Sequence, residues 1–159
     1  MPYLIDGHNL IPKVPGLSLS ETDDELRLIE MLQEFCRLRR KEAEVFFDNA
    51  PPGGVRARQF GQVVARFVRQ GITADDAIQS RLKRLGRASR NWIVVSSDRT
   101  VQTAARAAQA RFLSSEEFAR LLQQTLDDTQ LDQGKNQEIT LKPDELEGWL
   151  RLFDVSDDQ

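Results

Sequence analysis

Five aspartates occupy positions from which a chain of this length could do chemistry: Asp6, Asp48, Asp75, Asp76 and Asp98. Asp6 and Asp48 each end a short β-prone run, Tyr3-Leu4-Ile5 and Glu44-Val45-Phe46-Phe47, and Asp98 follows Trp92-Ile93-Val94-Val95-Ser96-Ser97. Asp75 and Asp76 open a helix that leaves a further run. If those runs are parallel strands, all five acids share one rim, the end of the sheet where α/β proteins bind ligands. Like charges crowded there repel unless cations or substrate donors compensate them. Oxygen donors without matching His or Cys favour Mg²⁺ or Mn²⁺, which keep several waters and meet substrate phosphates. That combination suits metal-assisted phosphodiester cleavage, in which the ion converts a water into a nucleophile.

Each acid also has a plainer role open to it. One aspartate at a strand end is ordinary turn chemistry. Asp75, more readily than Asp76, could do no more than satisfy a helix N-terminus, and Asp98 could be the N-cap of helix 99–109. The ring as a set outweighs these separate readings. Other chemistries lack their parts: there is no GxGxxG or Walker loop and no GxSxG elbow, and His8 is the single histidine.

The elements that would position the acids can be read from periodicity and turn chemistry. Strands are expected at 3–5, 44–48, 63–68, 92–96 and 110–113, the third near a sheet edge so that Arg66 and Arg69 reach solvent, with a helix also open at 63–68. A helix capped by Ser20 or Thr22 carries Leu26, Ile29, Leu32, Phe35, Cys36 and Arg39 on one face, which makes Cys36 a packing residue. The exit at 49–54 reads as flexible. A second helix runs from a Thr73 cap to near Gly86, a third over 99–109, and a fourth from a serine cap at 114–115 to about 126. Residues 127–142 are polar and read as a linker or loop. Pro143 then starts a helix whose Leu146, Trp149, Leu150 and Phe153 dock it back onto a single 1–126 domain. Trp92 and Trp149 are expected in packing. Strands alternating with helices imply an α/β fold, a mainly parallel sheet with helices on both faces.

The net charge of −3 conceals an asymmetry. Residues 1–36 carry −5, residues 37–111 carry +10 and residues 112–159 carry −8. Fourteen of the sixteen basic residues in the middle block are arginine, whose planar fork suits phosphate. A polyanion partner is therefore plausible despite a pI near 5.3. Arg56, Arg58, Arg66, Arg69 and Arg99 are the candidates for contacting it, being in loops or at exits near the presumed rim. A lone cysteine, no basic leader and no apolar stretch of about 20 residues lead to the expectation of a cytoplasmic chain with no membrane partner.

Four segments carry a family resemblance: Asp6-Gly7-His8-Asn9-Leu10-Ile11, Val45-Phe46-Phe47-Asp48, Thr73-Ala74-Asp75-Asp76-Ala77-Ile78 and Val94-Val95-Ser96-Ser97-Asp98. In order and spacing, over roughly residues 1–126, they resemble the YacP-like NYN domains of the PIN-like nuclease superfamily. The resemblance implies a three-layer α/β/α fold with strand order 3-2-1-4-5, an acidic Mg²⁺ or Mn²⁺ site and endonucleolytic cleavage of RNA. It also brings in the ribosome as a partner and translated mRNA as a substrate.

Position by position, the resemblance makes Asp6, Asp76 and Asp98 the metal ligands, with Asp75 and Asp48 in a second tier. It makes Asn9 the polar partner of a D-x-x-N signature. His8 would stack on or contact RNA, and Ser96 would orient Asp98 from behind. Two competing functions remain: an RNA- or ribosome-binding adaptor with little activity, and a non-hydrolytic metal or nucleotide binder.

Overall fold

The computed structural model describes residues 1–18, 23–48, 56–69 and 71–138, the stretch 129–138 by its backbone alone. Its elements are β1 (Tyr3–Asp6), α1 (Gly7–Leu10), α2 (Asp24–Arg39), β2 (Ala43–Phe47), β3 (Ala57–Phe60), β4 (Val63–Phe67), α3 (Ala74–Leu85), β5 (Ile93–Val95), α4 (Arg99–Ala107), β6 (Arg111–Leu113) and α5 (Ser115–Glu138). The strands form one sheet in the order β3-β4-β2-β1-β5-β6. Every pairing is parallel except β3 with β4.

Setting β3 aside, the order is the expected 3-2-1-4-5, with β4, β5 and β6 as its third, fourth and fifth strands. The added strand corrects one expectation. β4 is not the edge, because β3 folds back on it through Gly61-Gln62, with Phe60 opposite Val63. Gly61 takes φ +60°, the positive value that the first position of a II′ hairpin turn requires. The segment Ala57-Arg58-Gln59-Phe60 is mostly exposed and has no apolar alternation, so nothing in its pattern announces a strand. Arg58 thus sits in an edge strand, not a loop, with its guanidinium over the Phe60 ring at 5.2 Å.

Alternation along β1 and β2 sorts the core into two layers. Tyr3, Ile5, Val45 and Phe47 pack against α1, α2 and α5 through Leu28, Leu32, Phe35 and Phe118. Leu4, Phe46 and Val94 pack against α3 and α4 through Ile78, Leu82, Val101 and Ala105. Helices cover both faces, which gives the three layers. Leu26 departs from the expected α2 stripe and is half exposed, while Leu28 takes its place in the core. Cys36 is buried as a packing residue, its thiol pushed up to about 12 chiefly by burial.

The α3/α4 layer also buries a charge. Glu44, the second residue of β2, accepts from Arg66 Nε at 2.7 Å and from Arg81 Nη2 at 2.8 Å. Burial favours the neutral acid, but the two guanidiniums outweigh it and hold the Glu44 carboxyl below its ordinary range. Arg81 in turn lies over Trp92 at 5.5 Å.

The helix from Ser114 does not end near 126: α5 continues through the polar stretch to Glu138. The expected caps Ser20 and Thr22, the exit at 49–54 and the docking helix from Pro143 lie outside the described residues.

Candidate functional site

Parallel pairing places the ends of β1, β2, β4 and β5 on one rim, and the acids collect there. Asp6 ends β1 on the α3/α4 side of the sheet and is 6% exposed. Its carboxylate accepts from the Ser96 hydroxyl at 3.3 Å, and the same hydroxyl accepts the Asp98 backbone N–H at 3.1 Å. Ser96, expected to orient Asp98, therefore ties Asp6 and the Asp98 backbone to one atom. Asp98 is the N-cap of α4, accepting the Thr100 N–H at 2.8 Å. Asp48, just past β2, accepts the Ala74 N–H at the start of α3 at 2.7 Å.

The two helix-start acids divide in a way the sequence reading did not anticipate. Asp76 faces back along α3: Thr73 Oγ1 accepts the Asp76 N–H at 3.1 Å and Asp76 Oδ2 accepts the Thr73 N–H at 3.4 Å, a reciprocal capping box. Asp75 instead meets Asp98 through a side-chain hydrogen bond and feels the charges of Asp6 and Asp48. The structure brings Asp6, Asp48, Asp75 and Asp98 together and leaves Asp76 outside. Spacing could have distinguished them, because the third helical position is the one a capping box uses.

Electrostatics follow the crowding. Burial, and then the charges of Asp48 and Asp98, raise Asp6 to about 6 against the lowering effect of the Asn9 N–H and Ser96. Burial, followed by the hydrogen bond and charge of Asp98, raises Asp75 to about 7. Asp98 is lowered, first by the hydrogen bond from Asp75 and then by the Thr100 N–H. The two carboxyls thus shift in opposite directions, Asp75 up and Asp98 down.

A carboxyl raised in the folded state binds protons that the unfolded chain has already lost. Asp6 and Asp75 thus destabilise the fold as pH rises from about 4 to about 7. In EDTA, the Asp6→Asn/Asp75→Asn double variant is expected to lose less melting temperature than wild type over that interval. Equal losses would contradict the crowding.

Asn9 is fixed behind the rim. Its Oδ1 accepts the Ser97 N–H at 2.8 Å and the Ser115 hydroxyl at 2.6 Å. Ser97 Oγ accepts the Ser115 N–H at 2.9 Å and donates to Glu116 at 2.7 Å, and Lys13 pairs with Glu116 at 3.1 Å. Sequence reading missed this role for Ser97, Ser115 and Glu116. Their one signal was the cap pattern Ser114-Ser115-Glu116-Glu117, where Ser114 does cap α5 by accepting the Glu117 N–H at 3.1 Å.

His8 is engaged by carboxylates. Nε2 lies 3.0 Å from Glu25 and Nδ1 lies 3.5 Å from Asp48, and the ring rests at 5.6 Å from that of Phe47. The hydrogen bond to Glu25 outweighs burial and raises the imidazole above its ordinary value, so it offsets part of the negative rim.

Of the five candidate arginines, Arg56, Arg69 and Arg99 are exposed at the acid rim. Arg66 is drawn back along the sheet to Glu44, and Arg58 lies over Phe60.

A hard divalent cation fits the chemistry of this rim: the donors are oxygens, and raised carboxyls are what a cation's charge would relieve. Among the described residues, no three His, Cys, Asp or Glu side chains close on a single point. An ion here would rely on few direct ligands and on water, as Mg²⁺ commonly does.

The profile of the YacP-like NYN domain matches residues 3–153. No curated protein matches the chain. Two solved structures share its fold, both of Rae1 (YacP) from Bacillus subtilis. One superposes with a TM-score of 0.70 at 21% identity, covering 97% of this chain and 92% of that one. The other, a point mutant, gives 0.69 at 23% identity, covering 87% and 86%.

Proposed function

The chain belongs to the family of YacP-like NYN domains, PIN-like nucleases, and from that premise we propose that it is a divalent-metal-dependent endoribonuclease. The observation that carries this reading is the convergence of Asp6, Asp48, Asp75 and Asp98 on one rim, with two carboxyls raised by burial and mutual charge. Mg²⁺ or Mn²⁺ would be held at Asp6, Asp75 and Asp98 in part through its own waters, with Asp48 beside them. When bound, the ion supplies charge stabilisation for the phosphodiester and a nucleophilic water at neutral pH.

The protein's own groups do the rest. Asp75, raised by burial and by Asp98, would give up its proton on binding a cation, which completes the anionic donor set. Ser96 keeps Asp6 and the Asp98 backbone in fixed relation, and Asn9 anchors the loop between β5 and α4 through Ser97. Arg56, Arg69 and Arg99 flank the rim as phosphate contacts, and His8 holds Asp48 in place from its Glu25 side.

Translated mRNA on the ribosome is the substrate we assign, following the family. Among the described residues, no helix is long and apolar enough to cross a membrane.

The test is cleavage of a single-stranded RNA by the purified chain, in EDTA and in Mn²⁺ or Mg²⁺, with and without ribosomes. Cleavage that requires the ion is expected. Cleavage in EDTA would remove the metal, and RNA that is bound but never cut under any of these conditions would replace the enzyme with an adaptor.

A further inference from the structure

Most of the arginine block is not at the acid rim. No Asp or Glu occurs between Asp76 and Asp98, and the cations of that interval lie at the opposite end of the sheet, where strands begin. Lys83 and Arg84 are in the last turn of α3, and Arg87 and Arg90 are on the 3-10 segment Gly86–Asn91 that leads into β5. Arg106 is in the last turn of α4. Arg111 starts β6, in register with Ile93 at the start of β5. All six are exposed, and none pairs with a carboxylate among the described residues.

Helix-end dipoles give Lys83, Arg84 and Arg106 an ordinary reason to be there. They give none for Arg87, Arg90 and Arg111. The surface that displays them is built firmly. Ser89 is fully buried and donates from its hydroxyl to the Leu82 carbonyl at 3.0 Å, and its own carbonyl accepts the Trp92 N–H at 3.0 Å. Arg81 braces Trp92 from Glu44. A basic turn held this way loses little freedom on binding.

We propose that this end of the sheet is a second RNA-backbone contact surface, which holds the substrate away from the cleavage rim. The proposal rests on the nuclease reading for its ligand and deepens it. An acid rim repels a polyanion, and among the described residues the exposed cations there that pair with no carboxylate are Arg56, Arg69 and Arg99. The six cations at the far end, five of them arginine, supply the attraction the rim lacks. The two ends are one α3 length apart, roughly 18 Å at 1.5 Å per residue, a distance a single strand can span. An acidic protein fits less well. The exposed large hydrophobic residues among those described are Leu26 and Ile72, neither on this surface; a hollow lined by Leu82, Ala104, Ala107 and Ala108 adjoins Lys83, but no large apolar side chain protrudes there to anchor a protein partner.

The experiment compares wild type with the triple variants Arg84→Gln/Arg87→Gln/Arg90→Gln and Arg84→Lys/Arg87→Lys/Arg90→Lys. All three positions are exposed, and equal melting temperatures check that the fold is kept. Affinity for a long single-stranded RNA is measured against salt in EDTA. The Gln variant is expected to bind at least about tenfold more weakly, with the slope of log K against log salt smaller by about 2, at roughly 0.7 per lost phosphate contact. The Lys variant should keep the slope.

Cleavage of a short oligonucleotide confined to the acid rim should be the same in all three, whereas KM for long RNA should rise only in the Gln variant. An unchanged slope overturns the proposal, as does loss of binding to polyglutamate in place of RNA. If wild type binds RNA with the expected slope and cuts nothing, the nuclease reading fails and the contact surface stands.

Discussion

Asp98→Asn and Asp75→Asn are each expected to lower metal-dependent RNA cleavage by about 10²- to 10³-fold, the scale of removing one preorganised electrostatic group, while Asp76→Asn stays within a few-fold of wild type. The contrast between neighbours is the informative part. Asp75 hydrogen-bonds to Asp98 and senses Asp6 and Asp48. Asp76 is engaged by Thr73 in the capping box of α3, and asparagine keeps the side-chain acceptor that the box needs. The measurement is kcat on one RNA at saturating Mn²⁺, with melting temperature as the check on folding. Loss of activity in Asp76→Asn, with Asp75→Asn spared, would return the site to the assignment suggested by family resemblance.

Gly7→Ala is expected to destabilise the whole domain by about 1–3 kcal/mol through overpacking. At roughly 2–4 °C per kcal/mol for a chain of this size, the drop is readily measured by calorimetry. Gly7 follows Asp6 directly, where β1 turns into α1 against the end of β2. A Cβ there would stand 2.5 Å from Phe47 Cε1, 2.6 Å from Phe47 Cδ1 and 2.8 Å from the Phe46 carbonyl oxygen. The ring can swing only by disturbing its contacts with His8 and Phe67, and the carbonyl belongs to a strand backbone. Because Asp6 and His8 flank the glycine, activity should fall more than stability does. A wild-type melting temperature would mean that β1 and β2 can part at this end without cost.

Much of this arrangement could be read from the sequence, and the misses have physical causes. Strands β1, β2 and β5 are buried apolar runs that end in turn chemistry, so both their existence and the shared rim of Asp6, Asp48 and Asp98 followed. Thr73 and Gly86 bound α3 where cap rules put them. The strand β3 escaped because hairpin pairing, not burial, makes Ala57–Phe60 extended. The end of α5 was misjudged because its polar composition was taken to break a helix that continues past the core. Arg66 is placed near the rim by sequence because sequence cannot reveal that Glu44, buried as the second residue of β2, would claim it. Asp75 and Asp76 differ by one helical position, about 100° of rotation, which sets Asp75 toward Asp98 and Asp76 into the capping box.

The clasp formed by Asn9, Ser97 and Ser115 joins three parts of the chain that are made at very different times. Asn9 and Ser115 are 106 residues apart in sequence, and Ser96 reaches Asp6 across 90. During synthesis the first strand and its aspartate emerge early, but the bonds from Ser115 to Asn9 and Ser97, which close the clasp on the loop that carries Asp98, cannot form until the start of α5 has left the ribosome and docked. Long-range closure of this kind is slow and comes late. An unfinished chain therefore lacks the completed clasp, and the acid rim is fixed in its final form only once translation has passed the start of α5.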